Sequence, residues 1–107
     1  MPNAVIFHGT GCTPDSYWFP SLKLFLEQHG YHVWTPQLPD ADKPDLKKWL
    51  PKALEGSYGE ETIIIGHSAG APLVLSVLEN ISVKVQKAVF VVGYINDPDS
   101  IILKPDY

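Results

Sequence analysis

The pentapeptide Gly66-His67-Ser68-Ala69-Gly70 has the composition of a catalytic turn. A short apolar run, residues 62–65, precedes it, and a helical pattern, residues 72–78, follows it. The order strand, G-x-S-x-G, helix is typical of a nucleophile elbow, a sharp turn that lifts a serine hydroxyl out of a sheet. We therefore predict that Ser68 is a nucleophile in a strained backbone conformation. The alternative is a tight strand-to-helix turn with a capping serine.

Acyl transfer at Ser68 would also need backbone donors for an oxyanion. The N–H of Ala69 would supply one donor at the amino end of a helix. The turn that ends the first apolar run, His8-Gly9-Thr10-Gly11, offers the N–H of Thr10 as the second. We thus predict an oxyanion hole made by Thr10 and Ala69. The residues expected to line the binding site are His8, Gly9, Gly11, His67 and Trp18. The alternatives are a plain strand-ending turn at His8-Gly9 and a core anchor at Trp18.

Apolar strands alternate with amphipathic helices along the chain. We expect strands over residues 4–7, 31–35, 62–65 and 87–92, with a helix after each of the first three. This alternation predicts an α/β fold, a three-layer sandwich with a parallel sheet and helices on both faces. Right-handed crossovers favour the strand order 2-1-3-4. The carboxyl ends of strands one and three then flank the crevice where ligands bind in such sheets, which brings the two glycine-rich turns together.

A general base for Ser68 is not evident among the four histidines, His8, His29, His32 and His67. His67 should point away from the serine, and His29 and His32 flank the far edge of the sheet. Asp97 and Asp99 follow the fourth strand, where a triad acid could lie, although a solvated loop is the commoner explanation for them. Cys12 is interpreted as a small loop or core residue rather than a catalytic thiol. The tail, residues 96–107, has no assignable element.

Composition narrows the class of protein. The length of 107 residues suggests one domain, and the net charge of −4 argues against nucleic-acid or anionic-membrane partners. Because no apolar run could span a bilayer, we expect no membrane partner. The single cysteine, Cys12, excludes an internal disulfide and favours a cytoplasmic location. No residue spacing suggests a metal site or a phosphate-binding loop, so we expect no metal and no cofactor.

Four segments together resemble the small serine hydrolases of the retinoblastoma-binding-protein-9 and YdeN type. They are residues 8–11, 16–20, 62–70 and 87–92, and the resemblance extends over residues 3–100. It implies a minimal α/β-hydrolase fold acting on a small-molecule acyl substrate, an ester, thioester or amide. By the same resemblance, Ser68 matches the nucleophile, and the backbones of Thr10 and Ala69 match the oxyanion hole.

The family runs well beyond 107 residues, and its further strands carry the triad acid and histidine. We therefore expect residues 1–107 to form a single, truncated α/β-hydrolase domain without those two residues. The fourth strand would then be an open apolar edge, which predicts a homo-oligomer or a complementing chain at that strand. Three functions compete: a serine hydrolase completed by residues from elsewhere, a catalytically incomplete remnant or interaction module assembling through strand four, and a flavodoxin-like module that binds a small anion.

Overall fold

The computed structural model describes residues 2–91 and the backbone of residues 101–104. The described strands form one five-stranded sheet in the order β2-β1-β3-β4-β5. Their bounds are β1 Asn3–Phe7, β2 His32–Trp34, β3 Thr62–His67, β4 Lys87–Val91 and β5 Ile101–Lys104. The helices between them are α1 Phe19–Gln28, α2 Leu46–Ala53 and α3 Gly70–Asn80.

The first four strands are parallel, and β1 lies between β2 and β3. Ala4 pairs with Val33 on one side and with Ile63 on the other. The predicted order 2-1-3-4 is confirmed. Strand β3 extends two residues past the predicted end, because Gly66 and His67 pair with the last two residues of β4. The sheet therefore supports the backbone up to the residue before Ser68.

Helices cover both faces of this sheet, as the α/β pattern predicts. Phe19, at the start of α1, is fully buried on one face, and Trp49 of α2 is fully buried on the other, where α3 also packs. The α1 face contains Ala4, Ile6, Cys12, Phe19, Leu26, Val33 and Ile65. Burial of a large side chain such as Trp49 or Phe19 contributes about 1.5–3 kcal/mol to the free energy of unfolding.

The helix ends follow the local sequence signals. Pro20 lies in the first turn of α1, where its missing N–H costs nothing. The carboxylate of Asp45 accepts a hydrogen bond from the backbone N–H of Lys47 at 2.9 Å and caps α2, as predicted. The third helix ends at Asn80, also as predicted. In the part of the chain that the structure describes, none of the helices is long and apolar enough to cross a membrane.

The prediction that strand four is an open edge, with no element in the tail, was wrong. Residues Ile101–Lys104 form β5, which pairs antiparallel with β4, so that Val89 lies opposite Leu103. A returning strand satisfies the N–H and C=O groups that an apolar edge would leave without partners. The oligomer or complementing chain expected at this strand stays a prediction. Asp97 and Asp99 lie outside the described residues.

Candidate active site

Ser68 lies at the turn between β3 and α3, and its backbone is left-handed, with φ of 55°. This conformation costs a non-glycine residue about 1–2 kcal/mol, so the predicted strain is confirmed. The Ser68 N–H donates to the carbonyl oxygen of Val91 at 2.7 Å, and its carbonyl oxygen accepts from the Ala71 N–H at 3.0 Å. Both bonds hold the turn while the residue stays exposed.

Gly66 allows α3 to lie close to the strand that leads into the turn. A Cβ atom at Gly66 would lie 2.6 Å from Cγ2 of Val74. Real Cβ atoms do not approach other carbon atoms so closely, so glycine is required for this packing. The spacing G-x-S-x-G is thus explained by contact between the helix and β3.

The loop that follows β1 lies directly against this turn. A Cβ atom at Gly9 would lie 2.9 Å from the carbonyl oxygen of His67 and 3.0 Å from Cβ of Ser68. The loop then bends back, with the N–H of Gly11, at φ of 69°, donating to the carbonyl oxygen of Ala41 at 2.7 Å. The predicted convergence of the two glycine-rich turns is confirmed.

Two backbone donors in these turns have no acceptor among the described residues. Within residues 2–91, neither the N–H of Thr10 nor that of Ala69 donates a hydrogen bond to a protein acceptor. Thr10 is exposed, and Ala69 is the N-cap residue of α3. An anionic oxygen beside Ser68 would meet a helix amino terminus, where partial positive charge is concentrated.

The side chain of His8 is only 1% exposed and supports the loop from below. Its Nε2 accepts the Leu38 backbone N–H at 2.9 Å, which leaves the proton on Nδ1, 3.0 Å from the carbonyl oxygen of Gly9. Burial lowers the pKa of His8, while the bond to Gly9 opposes that shift. This neutral imidazole ties the turn after β1 to the segment after β2.

His67 is enclosed by three consecutive aromatic side chains at the start of α1. Its ring centroid lies 5.7 Å from that of Tyr17, 5.6 Å from that of Trp18 and 5.6 Å from that of Phe19. The Nδ1 atom of this ring is buried. Trp18, predicted as a pocket wall, is partly buried and stands edge-on to both Phe19 and His67.

None of the described histidines lies where it could act as the general base for Ser68. His29 follows α1, and its Nδ1 lies 2.8 Å from the carbonyl oxygen of Phe25. His32 begins β2, at the amino end of the sheet. Among residues 2–91, no histidine and no carboxylate forms a hydrogen bond with the hydroxyl of Ser68.

Cys12 is 5% exposed and packs in the core beneath α1, as a small buried residue would. Its Sγ lies 3.5 Å from the carbonyl oxygen of Thr10, so the thiol supports the loop. In the described part of the chain, no three His, Cys, Asp or Glu side chains are grouped so as to hold a metal ion.

Sequence reasoning missed Tyr17. Its φ is 50°, its side chain is 68% exposed, and its ring packs on His67, the residue before Ser68. The sequence signal was the run of three aromatic residues at 17–19, because three successive side chains cannot all point into one core. It indicates that at least one ring faces the crevice.

Comparison with known proteins agrees with this geometry. The sequence model of the alpha/beta hydrolase family matches residues 4–106. The chain belongs to the alpha/beta hydrolase family. Over 83 residues it is 30% identical to the protein named "Putative hydrolase YdeN" of Bacillus subtilis (strain 168), and the match spans 76% of this chain and 44% of YdeN.

A crystal structure of the Bacillus subtilis ydeN gene product superposes on this alpha/beta hydrolase chain with a TM-score of 0.70 and 28% identity. The superposition covers 78% of this chain and 46% of that one. The resemblance to YdeN-type proteins is therefore confirmed in sequence and in fold. The chain spans less than half the length of these relatives.

Proposed function

We propose that Ser68 is the nucleophile of a serine hydrolase that cleaves an ester, thioester or amide through an acyl-enzyme. The observation that carries the proposal is the strained, exposed turn at Ser68, with φ of 55°, lying against the Gly9 turn. Strained backbone at an exposed nucleophilic residue is typical of catalytic sites. Membership of the alpha/beta hydrolase family supports the hydrolase class.

In the proposed reaction, Oγ of Ser68 attacks the carbonyl carbon of the substrate and its proton passes to a general base. The carbonyl oxygen becomes an oxyanion and accepts hydrogen bonds from the N–H groups of Thr10 and Ala69. Collapse of this intermediate expels an alcohol, thiol or amine, which takes the proton from the base. Water then hydrolyses the acyl-enzyme by the same steps. Loss of one oxyanion donor typically raises the barrier by about 3–4 kcal/mol.

We propose that the general base and its acid come from outside the described residues. Support comes from the positions of the described histidines: His8 is buried beneath the loop, His67 is enclosed by aromatic rings, and His29 and His32 lie away from the crevice. The base would come from the rest of a longer protein or from a complementing chain. Both sources agree with the short span of this chain relative to YdeN.

The alternative function, an interaction module assembling through strand four, has less support. Its premise was an open edge, and β5 pairs with β4 along that edge. The anion-binding alternative has less support, because the segments that form the site contain no Lys or Arg to add to the partial charge of the helix amino terminus. Those segments are residues 8–12, 16–19 and 66–71.

We propose a small-molecule acyl compound as substrate and the cytoplasm as compartment. The net charge of −4 disfavours nucleic acid as a partner. Cys12 is a free, buried thiol, which is compatible with a reducing compartment.

A fluorophosphonate probe tests the nucleophile, because it phosphonylates only a serine whose hydroxyl is activated. The protein completed by its base should gain one adduct, located at Ser68 by peptide mass. Ser68→Ala should remove the adduct, whereas Ser57→Ala, at an exposed serine away from the crevice, should keep it. An adduct on another serine would refute the proposal.

Residues 1–107 alone should react slowly and hydrolyse p-nitrophenyl acetate feebly. The backbone donors alone retain roughly 10³–10⁴-fold acceleration over water in damaged triad enzymes. Turnover typical of an intact esterase, abolished by Ser68→Ala, would show that this chain contains its own base.

A further inference from the structure

We infer that Tyr17 is a specificity-determining residue, the wall against which the acyl group of the substrate packs, and that this wall selects an uncharged acyl group with an apolar body. The inference rests on the proposed function of Ser68 and adds the substrate class to it. Three observations carry it: the conformation of Tyr17, its contact with His67, which precedes Ser68, and the lack of charged side chains in the described site segments.

The backbone of Tyr17 is held in a conformation that its residue type disfavours. A φ of 50° is uncommon outside glycine, asparagine and aspartate, and a bulky residue adopts it only where surrounding contacts compensate. The result is unusual, since the strain leaves a large aromatic side chain 68% exposed rather than buried. Ordinary core packing does not explain a strained residue whose ring faces solvent.

The ring of Tyr17 is nevertheless fixed in place. It contacts His67 with a centroid separation of 5.7 Å and stands edge-on to Phe19 at 6.4 Å. Phe19 is fully buried, so the cluster has a rigid base in the core. Tyr17 therefore presents a fixed apolar face against His67, the residue that precedes Ser68, and the partly buried Trp18 contacts the same His67 ring.

The described segments that form the site are neutral, and the exposed Asp15 lies between the first two of them. The site segments, residues 8–12, 16–19 and 66–71, contain no Asp, Glu, Lys or Arg. A substrate carboxylate or ammonium group in contact with Tyr17 would lose hydration without gaining an ion pair. An aliphatic or aromatic acyl group would instead bury apolar surface against the rings. The wall therefore favours medium-length acyl groups over acetyl and over charged acyl groups.

Equilibrium binding tests this inference without requiring catalysis. Acetamide, butyramide and hexanamide imitate the acyl part of a substrate and are not hydrolysed under the assay. Each is titrated into the full chain, and binding is followed by the backbone amide signals of Thr10 and Ala69. Hexanamide should bind about 10-fold more tightly than acetamide, because its longer chain buries more apolar surface against the rings.

Tyr17→Asn removes the ring but keeps a residue that tolerates positive φ. It should weaken hexanamide binding about fivefold and leave acetamide binding unchanged. Tyr17→Phe should retain the preference for hexanamide. Phe25→Ala, which removes a 55% exposed ring on α1, is the matched control and should change neither ligand.

Equal binding of acetamide and hexanamide to the wild-type chain would overturn the inference, as would unchanged hexanamide binding in Tyr17→Asn. The proposed function fails separately, through absence of a Ser68 adduct in the completed protein. A preference for longer acyl groups that depends on Tyr17, without reaction at Ser68, would support this inference and refute the proposed hydrolase activity.

Discussion

Gly70, the first residue of α3, lies directly against the carbonyl oxygen of Phe7 at the end of β1. A Cβ atom at Gly70 would lie 2.5 Å from that oxygen and 2.8 Å from the carbonyl oxygen of His8. Backbone atoms of a central strand cannot move aside as a flexible side chain can. The close approach of α3 to β1 thus depends on the absence of a side chain at residue 70.

We predict that Gly70→Ala destabilises the protein by about 2–3 kcal/mol, the usual cost of overpacking a rigid site. Gly59→Ala is the matched control, because a Cβ atom there meets nothing within 4 Å. It should change stability by less than about 1 kcal/mol. Urea unfolding of the two variants measures the difference. Equal midpoints would contradict the packing described for Gly70.

Two substitutions of Ser68 should show how much its strained backbone destabilises the protein. Ser68→Gly and Ser68→Ala both remove the hydroxyl, but only glycine adopts a φ of 55° without cost. We expect Ser68→Gly to be more stable than Ser68→Ala by about 1 kcal/mol, measured by urea unfolding. Identical stabilities would mean that Ser68 carries no backbone strain.

The buried, neutral His8 should make stability depend on pH. Burial lowers its pKa in the folded state below the ordinary value of 6.5, so the unfolded chain binds the proton more readily. Its contribution to stability is therefore complete above pH 6.5 and is lost as the pH falls from there towards the folded pKa. The slope from this one group is at most about 1.4 kcal/mol per pH unit.

Urea midpoints of the wild type and of His8→Gln, measured over this pH range, isolate that contribution. Glutamine can still accept the hydrogen bond from the Leu38 N–H but does not titrate. The variant should lose the part of the pH dependence that His8 causes. Parallel pH profiles of the wild type and the variant would show that His8 has the same pKa in the folded and unfolded states, which contradicts the prediction.

The fifth strand should control self-association. A chain that ends at residue 100 lacks β5 and exposes the apolar edge of β4, whereas a chain that ends at residue 104 keeps the strand. We expect the shorter chain to form dimers or larger species and the longer one to sediment as a smaller species at the same concentration. Monomers in both cases would exclude assembly through β4.

The central fold could be predicted from the sequence because its signals are local. The β-branched run before Gly66, the capping Asp45 and the alternation of strands and helices each have a local physical cause. The convergence of the Gly9 and Ser68 turns then followed from the handedness of the crossovers. Strand β5 could not be predicted, because it pairs antiparallel with β4, whereas the alternation of strands and helices predicts only parallel neighbours.

The roles of individual site residues could not be predicted, because they depend on contacts between residues that are far apart in the sequence. His8 accepts a hydrogen bond from a residue 30 positions later, and no local pattern encodes that contact. The role of Tyr17 could not be predicted for another reason. Tyrosine seldom adopts a positive φ, so its residue type argues against the conformation that exposes its ring.

The hydrogen bond from the Ser68 N–H to the Val91 carbonyl oxygen has a consequence for biosynthesis. The turn that carries Ser68 is completed by a residue 23 positions further along the chain. While the polypeptide emerges from the ribosome, residues 66–70 lack this acceptor, and the left-handed conformation at Ser68 is disfavoured. Ser68 should take its final geometry only once β4 has left the exit tunnel and docked beside β3. Ribosome-bound nascent chains that stop before and after β4 would then differ in amide exchange at Ser68.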